Sequence, residues 1–136
     1  MNFISVNNIA VDLCWYIADK PPREESLNQI VLGEGAHHIS FPLNDQLLYW
    51  ETRVYQGPIT IQQLLDIIYE FYKEPLDPKD YKRAFENRED EFDEIFEETD
   101  GNLKKIDALS EDPDPDFCGL EYNSTTNAYE VTLGPI

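Results

Sequence analysis

The sequence predicts an α+β fold, with a mostly antiparallel sheet, one buried helix on a face of the sheet and a second, acidic helix. Apolar and polar residues alternate near the start, in the middle and at the end of the chain, as in strands with one buried face. A strongly apolar segment with helical spacing lies between them. The length of 136 residues fits a single domain, residues 1–136, with one core.

Three regions carry the strand pattern. Apolar side chains recur at every second position between residues 9 and 17, and a stronger strand is predicted over residues 46–55. Residues 117–122 and 128–133 flank a polar turn, which predicts a hairpin. The short apolar segment at residues 27–32 fits either a strand or a single helical turn.

The first helix is predicted over residues 59–73. Thr60 and Gln63 have the spacing of a capping box, and Pro75 ends the helix because the residue before a proline avoids helical geometry. Its apolar residues cover more than half of the circumference, so we expect the helix to be buried on most sides. They are Ile61, Leu64, Leu65, Ile67, Ile68, Tyr69, Phe71 and Tyr72.

A second helix is predicted over residues 78–98, with Asp77 as the N-cap and Pro78 at the first helical position. Its apolar stripe is thinner and is interrupted at Arg88 and Glu89. We therefore expect shallower burial and a bend or fraying around residues 87–90.

The second helix is densely acidic, with nine carboxylates and one arginine from Glu86 to Asp100. Like charges four residues apart on a helix repel by about 0.2–0.5 kcal/mol per pair, and acids near the C-terminal end oppose the helix dipole. A basic partner or a bound cation would relieve this repulsion. We therefore expect a surface that docks on a basic protein, formed by the helix and the following Asp-Pro linker. Its candidate residues are Glu86, Glu89, Asp90, Asp93, Glu94, Glu97, Asp112 and Asp114. The plainer interpretation, that these acids only keep the protein soluble, stays open.

The net charge of -18 argues against direct binding to nucleic acids or anionic membranes, because both are negatively charged. No stretch approaches the roughly 20 apolar residues that a membrane span needs, and the N-terminus lacks the pattern of an export signal. We expect an intracellular protein, in the cytoplasm or nucleus of the producing or host cell, with the virion as an alternative. The sequence indicates no oligomeric state.

The chain shows no pattern for a cofactor, a metal or a catalytic residue. Cys14 and Cys118 lie far apart among apolar neighbours, which favours buried free thiols. His37 and His38 are adjacent, so on a strand they would face opposite sides and would not share a zinc ion.

A calcium-binding EF-hand is also not predicted. With Gly101 at the obligatory glycine position, Phe96 takes the first ligand position and Asp107 the last, so the loop lacks both its opening carboxylate and its bidentate glutamate. We therefore expect a non-enzymatic protein. Two alternatives stay open: a nucleic-acid mimic that inhibits a DNA- or RNA-binding protein, and a small enzyme that uses one of the cysteines.

The chain contains, in this order, the motif GPIT, an apolar helix that ends in FY, and the motifs PLDPKDY, FCGLEYN and AYEVTLGP. This order of motifs resembles that of small domains of giant DNA viruses and, more distantly, of fungi. The likeness spans about residues 46–82 and 117–134 and does not include the acidic helix. It implies a compact α+β domain of unknown function, of viral origin, and provides no catalytic residues.

Overall fold

The computed structural model describes residues 3–43, 49–109 and 115–134. In these residues the chain forms a six-stranded sheet and three α-helices, which confirms the predicted α+β class. The strands are β1 (Phe3–Val6), β2 (Ile9–Asp12), β3 (Ile30–Ser40), β4 (Arg53–Thr60), β5 (Asp116–Asn123) and β6 (Ala128–Gly134). The helices are α1 (Ile61–Lys73), α2 (Tyr81–Ala84) and α3 (Glu89–Glu98), with 3-10 turns at Glu25–Asn28, Pro78–Asp80 and Lys105–Ala108.

The sheet has the strand order β2-β1-β5-β6-β3-β4. The pairs β1–β2, β3–β4 and β5–β6 are antiparallel, whereas β1–β5 and β3–β6 are parallel. The predicted C-terminal hairpin therefore forms, and it lies in the centre of the sheet between the earlier strands. As a consequence, β2 and β4 are the two edges.

The strand predicted over residues 46–55 begins later than expected, because β4 starts at Arg53. Trp50 lies before this strand and is directed into the core, where it is 7% exposed and its ring centroid is 6.4 Å from that of Phe71. Its backbone N–H donates to the carbonyl of Phe41. Residues 46–48 of the predicted strand lie outside the described residues.

The segment at residues 27–32 divides between a 3-10 turn and the start of β3. β3 then continues through Gly33 and Gly35 to Ser40. The pairing register between β3 and β4 shifts twice in this part of the strand, between Ile30 and Leu32 and between Leu32 and Gly35. Gly35 has a φ of 110°, which a residue with a side chain rarely adopts.

The first predicted helix is confirmed, although it begins at Ile61 because β4 continues to Thr60. The Thr60 hydroxyl accepts a hydrogen bond from the Gln63 backbone, and the Gln63 side chain accepts one from the Thr60 backbone. The helix packs on the buried face of the sheet, where Phe71 stacks on Phe41 with ring centroids 3.9 Å apart. Its buried residues are Ile61, Gln62, Leu64, Leu65, Ile68, Phe71 and Tyr72.

The prediction of one continuous helix over residues 78–98 is wrong. The segment forms a 3-10 turn, the single-turn helix α2 and the separate helix α3. Asn87 has a φ of 64°, which an α-helix cannot contain, so the chain changes direction there. Ala84 and Phe85 point into the core, whereas α3 has no buried residue.

One group of ion pairs joins three parts of the fold. Glu74, just after α1, accepts hydrogen bonds from Arg53 of β4 at 2.5 and 2.6 Å and from Lys105 at 2.6 Å. The Lys105 ammonium also lies 4.3 Å from the centroid of the Phe71 ring. We call Arg53, Glu74 and Lys105 the Glu74 cluster. The hydrogen bonds from Arg53, with a further contribution from Lys105 and against an opposing effect of burial, lower the pKa of Glu74 to about 2.

The pKa of Glu74 generates a prediction about stability and pH. Its folded-state value lies below the usual 4.5, so its contribution is complete above about pH 5 and is lost as the pH falls toward 2. We expect Glu74→Gln to lower the free energy of unfolding at pH 7 by about 1 kcal/mol, the scale of two partly exposed ion pairs. The difference from wild type should be smaller at pH 3. Urea unfolding at both pH values measures it.

The matched control for this experiment is Glu70→Gln. Glu70 is exposed on α1 and belongs to no ion pair among the described residues. Its substitution should change the stability by less than about 0.5 kcal/mol at either pH. An equal destabilisation by Glu74→Gln at pH 7 and pH 3 would contradict the prediction.

Candidate functional site

Five of the predicted docking residues lie on α3, and a sixth lies in the turn just before it. All six are exposed, and the residue in the turn is Glu86. We call them the acidic face: Glu86, Glu89, Asp90, Asp93, Glu94 and Glu97. The ion pairs found in the described parts of the chain use Asp66, Glu74, Asp80 and Glu91 as their acids. No member of the acidic face is therefore neutralised by a described basic residue.

The remaining two predicted docking residues, Asp112 and Asp114, lie outside the described residues. The contribution of the Asp-Pro linker stays a prediction from the sequence.

The break before α3 changes the expected charge geometry. On one continuous helix over residues 78–98, Glu86 and Asp90 would lie four residues apart on the same side, but Asn87 interrupts the helix between them. Four pairs with the repulsive spacing remain within α3, and together they cost roughly 1–2 kcal/mol. They are Glu89 with Asp93, Asp90 with Glu94, Asp93 with Glu97, and Glu94 with Glu98.

The helix dipole divides the acids of α3 into two groups. Glu89, Asp90 and Glu91 lie in the first turn, where negative charge stabilises a helix. The last turn contains no basic residue, although Glu97 and Glu98 lie there. The C-terminal half of the acidic face is thus the part that a basic partner would stabilise most.

Aromatic contacts attach α3 to the rest of the protein. The Phe92 ring lies 5.0 Å from that of Tyr81, 5.3 Å from Phe85 and 5.6 Å from Phe96, measured between centroids. We call these four residues the aromatic cluster. Phe96 is 43% exposed, so an apolar surface borders the carboxylates.

Arg88 supports the start of α3 by two polar contacts. Its guanidinium donates to the carbonyl oxygen of Ala108 at 2.7 Å and to the Glu91 carboxylate at 2.6 Å. The arginine within the acidic segment is thus engaged in holding the helix, and it does not neutralise the acidic face.

The two cysteines do not have the predicted environment. Both are free thiols, but Cys14 is exposed and Cys118 is half-buried. Cys14 lies between Leu13 and Trp15, whose side chains point into the core, so the alternation of an extended chain turns the thiol outward. The prediction of two buried thiols is therefore wrong.

The surroundings of Cys118 do not favour a nucleophile. Burial and the charge of Asp116 raise the pKa of the Cys118 thiol, which disfavours the reactive thiolate. The contacts of the His37 imidazole are with the Gly33 carbonyl at 2.6 Å and with the Tyr129 ring, and neither partner is a thiol. His38 is exposed on the same strand.

The structure also reveals a mixed-charge pocket that the sequence pattern did not indicate. Its volume is about 380 Å³, and Trp50 and Phe71 form its aromatic walls. Four of the ten basic residues of the chain line it: Arg53, Lys79, Arg83 and Lys105. Glu51, Asp77 and Asp80 are also in the lining, and Glu74 pairs with two of the cations, so the pocket carries little net charge. Its residues come from distant parts of the sequence, and no local pattern could have indicated them.

Lys105 and Arg83 lie 5.3 and 5.2 Å from the centroid of the Trp50 ring, and Arg53 lies 4.7 Å from that of Phe71. Such cation–π contacts stabilise the aromatic walls. Basic residues are thus concentrated in this pocket, and in the part of the chain that the structure describes none of these four cations forms an ion pair with the carboxylates of the acidic face.

The described residues contain no group of three His, Cys, Asp or Glu side chains that could hold a metal ion. None of the helices they form is long and apolar enough to cross a bilayer.

The fold and the site define a class: an α+β domain with a peripheral acidic helix. Comparison with known proteins gives no matching family model, no similar curated protein and no similar solved structure.

The attachment of α3 through the aromatic cluster can be tested with Phe92→Ala. We expect this variant to lose about 1–3 kcal/mol of stability locally, because Phe92 is half-buried and contacts three other rings. Hydrogen exchange at the backbone amides of α3 should accelerate, while exchange in α1 should change little. Asp93→Ala, at the exposed neighbouring position, is the control and should leave both rates nearly unchanged. Equal acceleration in α1 and α3 would show that α3 is not a separately attached element.

Proposed function

We propose that this protein is a non-enzymatic interaction module that binds a basic protein surface through the acidic face. One observation carries the proposal: five exposed carboxylates lie on α3 and a sixth lies in the turn before it, and no described basic residue forms an ion pair with any of them. Other acids of the chain do have cationic partners, as in the Glu74 cluster and in the pair of Arg23 with Asp66.

Electrostatics favours such a partner in two ways. The repulsion of roughly 1–2 kcal/mol within α3 falls when lysine or arginine side chains of a partner approach. The negative field of the whole protein, with its net charge of -18, also attracts basic partners and accelerates association at low ionic strength. Phe96, exposed beside the carboxylates, adds an apolar contact that simple charge attraction lacks.

The shape of the acidic face favours a protein partner over mimicry of nucleic acid. A mimic needs acids over a continuous ridge, whereas five of the six carboxylates lie on one ten-residue helix, which is about 15 Å long. The raised pKa of Cys118 and the contacts of His37 likewise support a role without cysteine catalysis. Viral origin and intracellular location stay predictions from the sequence.

The proposal predicts the effect of charge reversal. Asp90, Asp93, Glu94 and Glu97 would be changed to lysine together, and binding to a panel of purified basic proteins would be measured at 50 and 300 mM salt. We expect the wild type to bind at least one of them at low salt and to weaken steeply at high salt. The variant should bind about tenfold more weakly or worse, because several charge pairs are lost.

The matched control reverses four exposed acids elsewhere, Asp12, Glu25, Glu34 and Glu121, and gives the same net charge. It should retain most of the affinity. Equal losses in both variants would show that only the net charge matters, and an unchanged affinity in the first variant would refute the proposal. Competition by duplex DNA for the captured protein would indicate nucleic-acid mimicry instead.

A further inference from the structure

The two edge strands of the sheet differ in length, and therefore in how well each could pair with an additional strand. β2 has four residues, and such a short edge offers little for an additional strand to pair with. β4 has eight residues and pairs only with β3 in the part of the chain that the structure describes. Pro58 has no backbone N–H, but Arg53 to Gly57 contain no proline, so this half of the edge is not blocked.

A groove runs beside this edge, between β4 and α1. It consists of two neighbouring pockets of about 360 and 330 Å³, which share Tyr55, Asp66 and Ile67 in their linings. One extends toward Arg53 and Glu74, and the other extends toward Pro58 and Gln63. The groove therefore follows the strand over much of its length.

The lining of the groove selects the chemistry of an occupant. Ile67, Phe71 and Tyr55 provide apolar and aromatic surface. Of the three acids in the two linings, Asp66 pairs with Arg23, and Glu74 pairs with Arg53 and Lys105. Glu70 is exposed and has no ion-pair partner among the described residues.

We propose that the edge of β4 binds an extended segment of a partner protein as a seventh strand, and that this segment presents basic and apolar side chains two residues apart on the side that faces the groove. Unpaired N–H and C=O groups along an edge strand are complementary to another extended backbone. Side chains two residues apart in such a segment are roughly 6.6–6.8 Å apart and point to the same side, so successive ones enter the two pockets. Basic side chains would reach Glu70, and apolar ones would contact Ile67. This interaction is independent of the acidic face.

The probe for this site is a synthetic peptide, acetyl-Lys-Thr-Val-Thr-Lys-Thr-Val-amide, which in an extended form places lysine and valine on one face and threonine on the other. It would be titrated into the full chain labelled with nitrogen-15 and carrying the four lysine substitutions in the acidic face, which removes the competing acidic surface. We expect amide shift changes and slower hydrogen exchange at residues 53–57. If the peptide caused no change at residues 53–57, the proposed function of the acidic face would not be affected, because the charge-reversal variants test that function separately.

Two control peptides separate strand pairing from charge attraction. A copy methylated at every backbone amide keeps the side chains but removes the donors, and it should bind at least about tenfold more weakly. A copy with glutamate in place of lysine should also lose binding. Equal binding of the methylated copy, or no shifts at residues 53–57 with the original peptide, would overturn the proposal.

Substitution of the protein gives the second test. Glu70→Lys should weaken binding of the lysine peptide about two- to fivefold, whereas Glu121→Lys, at an exposed position on β5, should not. Equal effects of both variants would overturn the proposal. So would sedimentation showing a dimer in which residues 53–57 are protected without peptide, because a second copy would then occupy the edge.

Discussion

The arrangement of this protein depends on the ion pairs and ring contacts around Glu74. Arg53 comes from the edge strand, Glu74 follows the buried helix and Lys105 follows the acidic segment, so the three side chains join these parts at one point. The backbone reinforces the junction, since Leu76 donates to Leu103 and Lys105 donates to Glu74. The segment between these contacts contains α2 and α3 and is held at both of its ends. Because Arg53 and Lys105 act in this junction, their charge does not neutralise the acidic face.

Local signals in the sequence predicted those parts of the fold that local interactions determine. The capping box at Thr60 and the wide apolar surface of α1 are enough to define that helix, and the hairpin of β5 and β6 follows from alternation around a turn. The strand order could not be predicted from local signals, because the parallel pairs β1–β5 and β3–β6 join segments that are distant in sequence. The break at Asn87 was indicated only as a bend, because burial of Phe85 on one side of it is a tertiary effect.

The acidic face and the groove beside β4 also differ in whether the sequence alone could predict them. The acidic face was visible in the sequence because a dense run of carboxylates is a local property, and a solvated helix keeps its charges on the surface. The groove beside β4 was not visible, because β4 is an edge only when the C-terminal hairpin occupies the centre of the sheet. The prediction for Cys14 was wrong because its adjacent residues are apolar and suggested that the thiol is buried. The extended backbone places alternate side chains on opposite sides, so Leu13 and Trp15 are buried while Cys14 is exposed.

The absence of any buried residue in α3 has a consequence for how such a domain diverges. Positions whose side chains touch only solvent tolerate most substitutions, because folding free energy changes little there. The outward side of α3 can therefore accumulate new side chains while α1 and the sheet stay constant. Related chains that keep this scaffold would differ most in the outward residues of α3, and selection for a new partner could act there without a compensating change in the core.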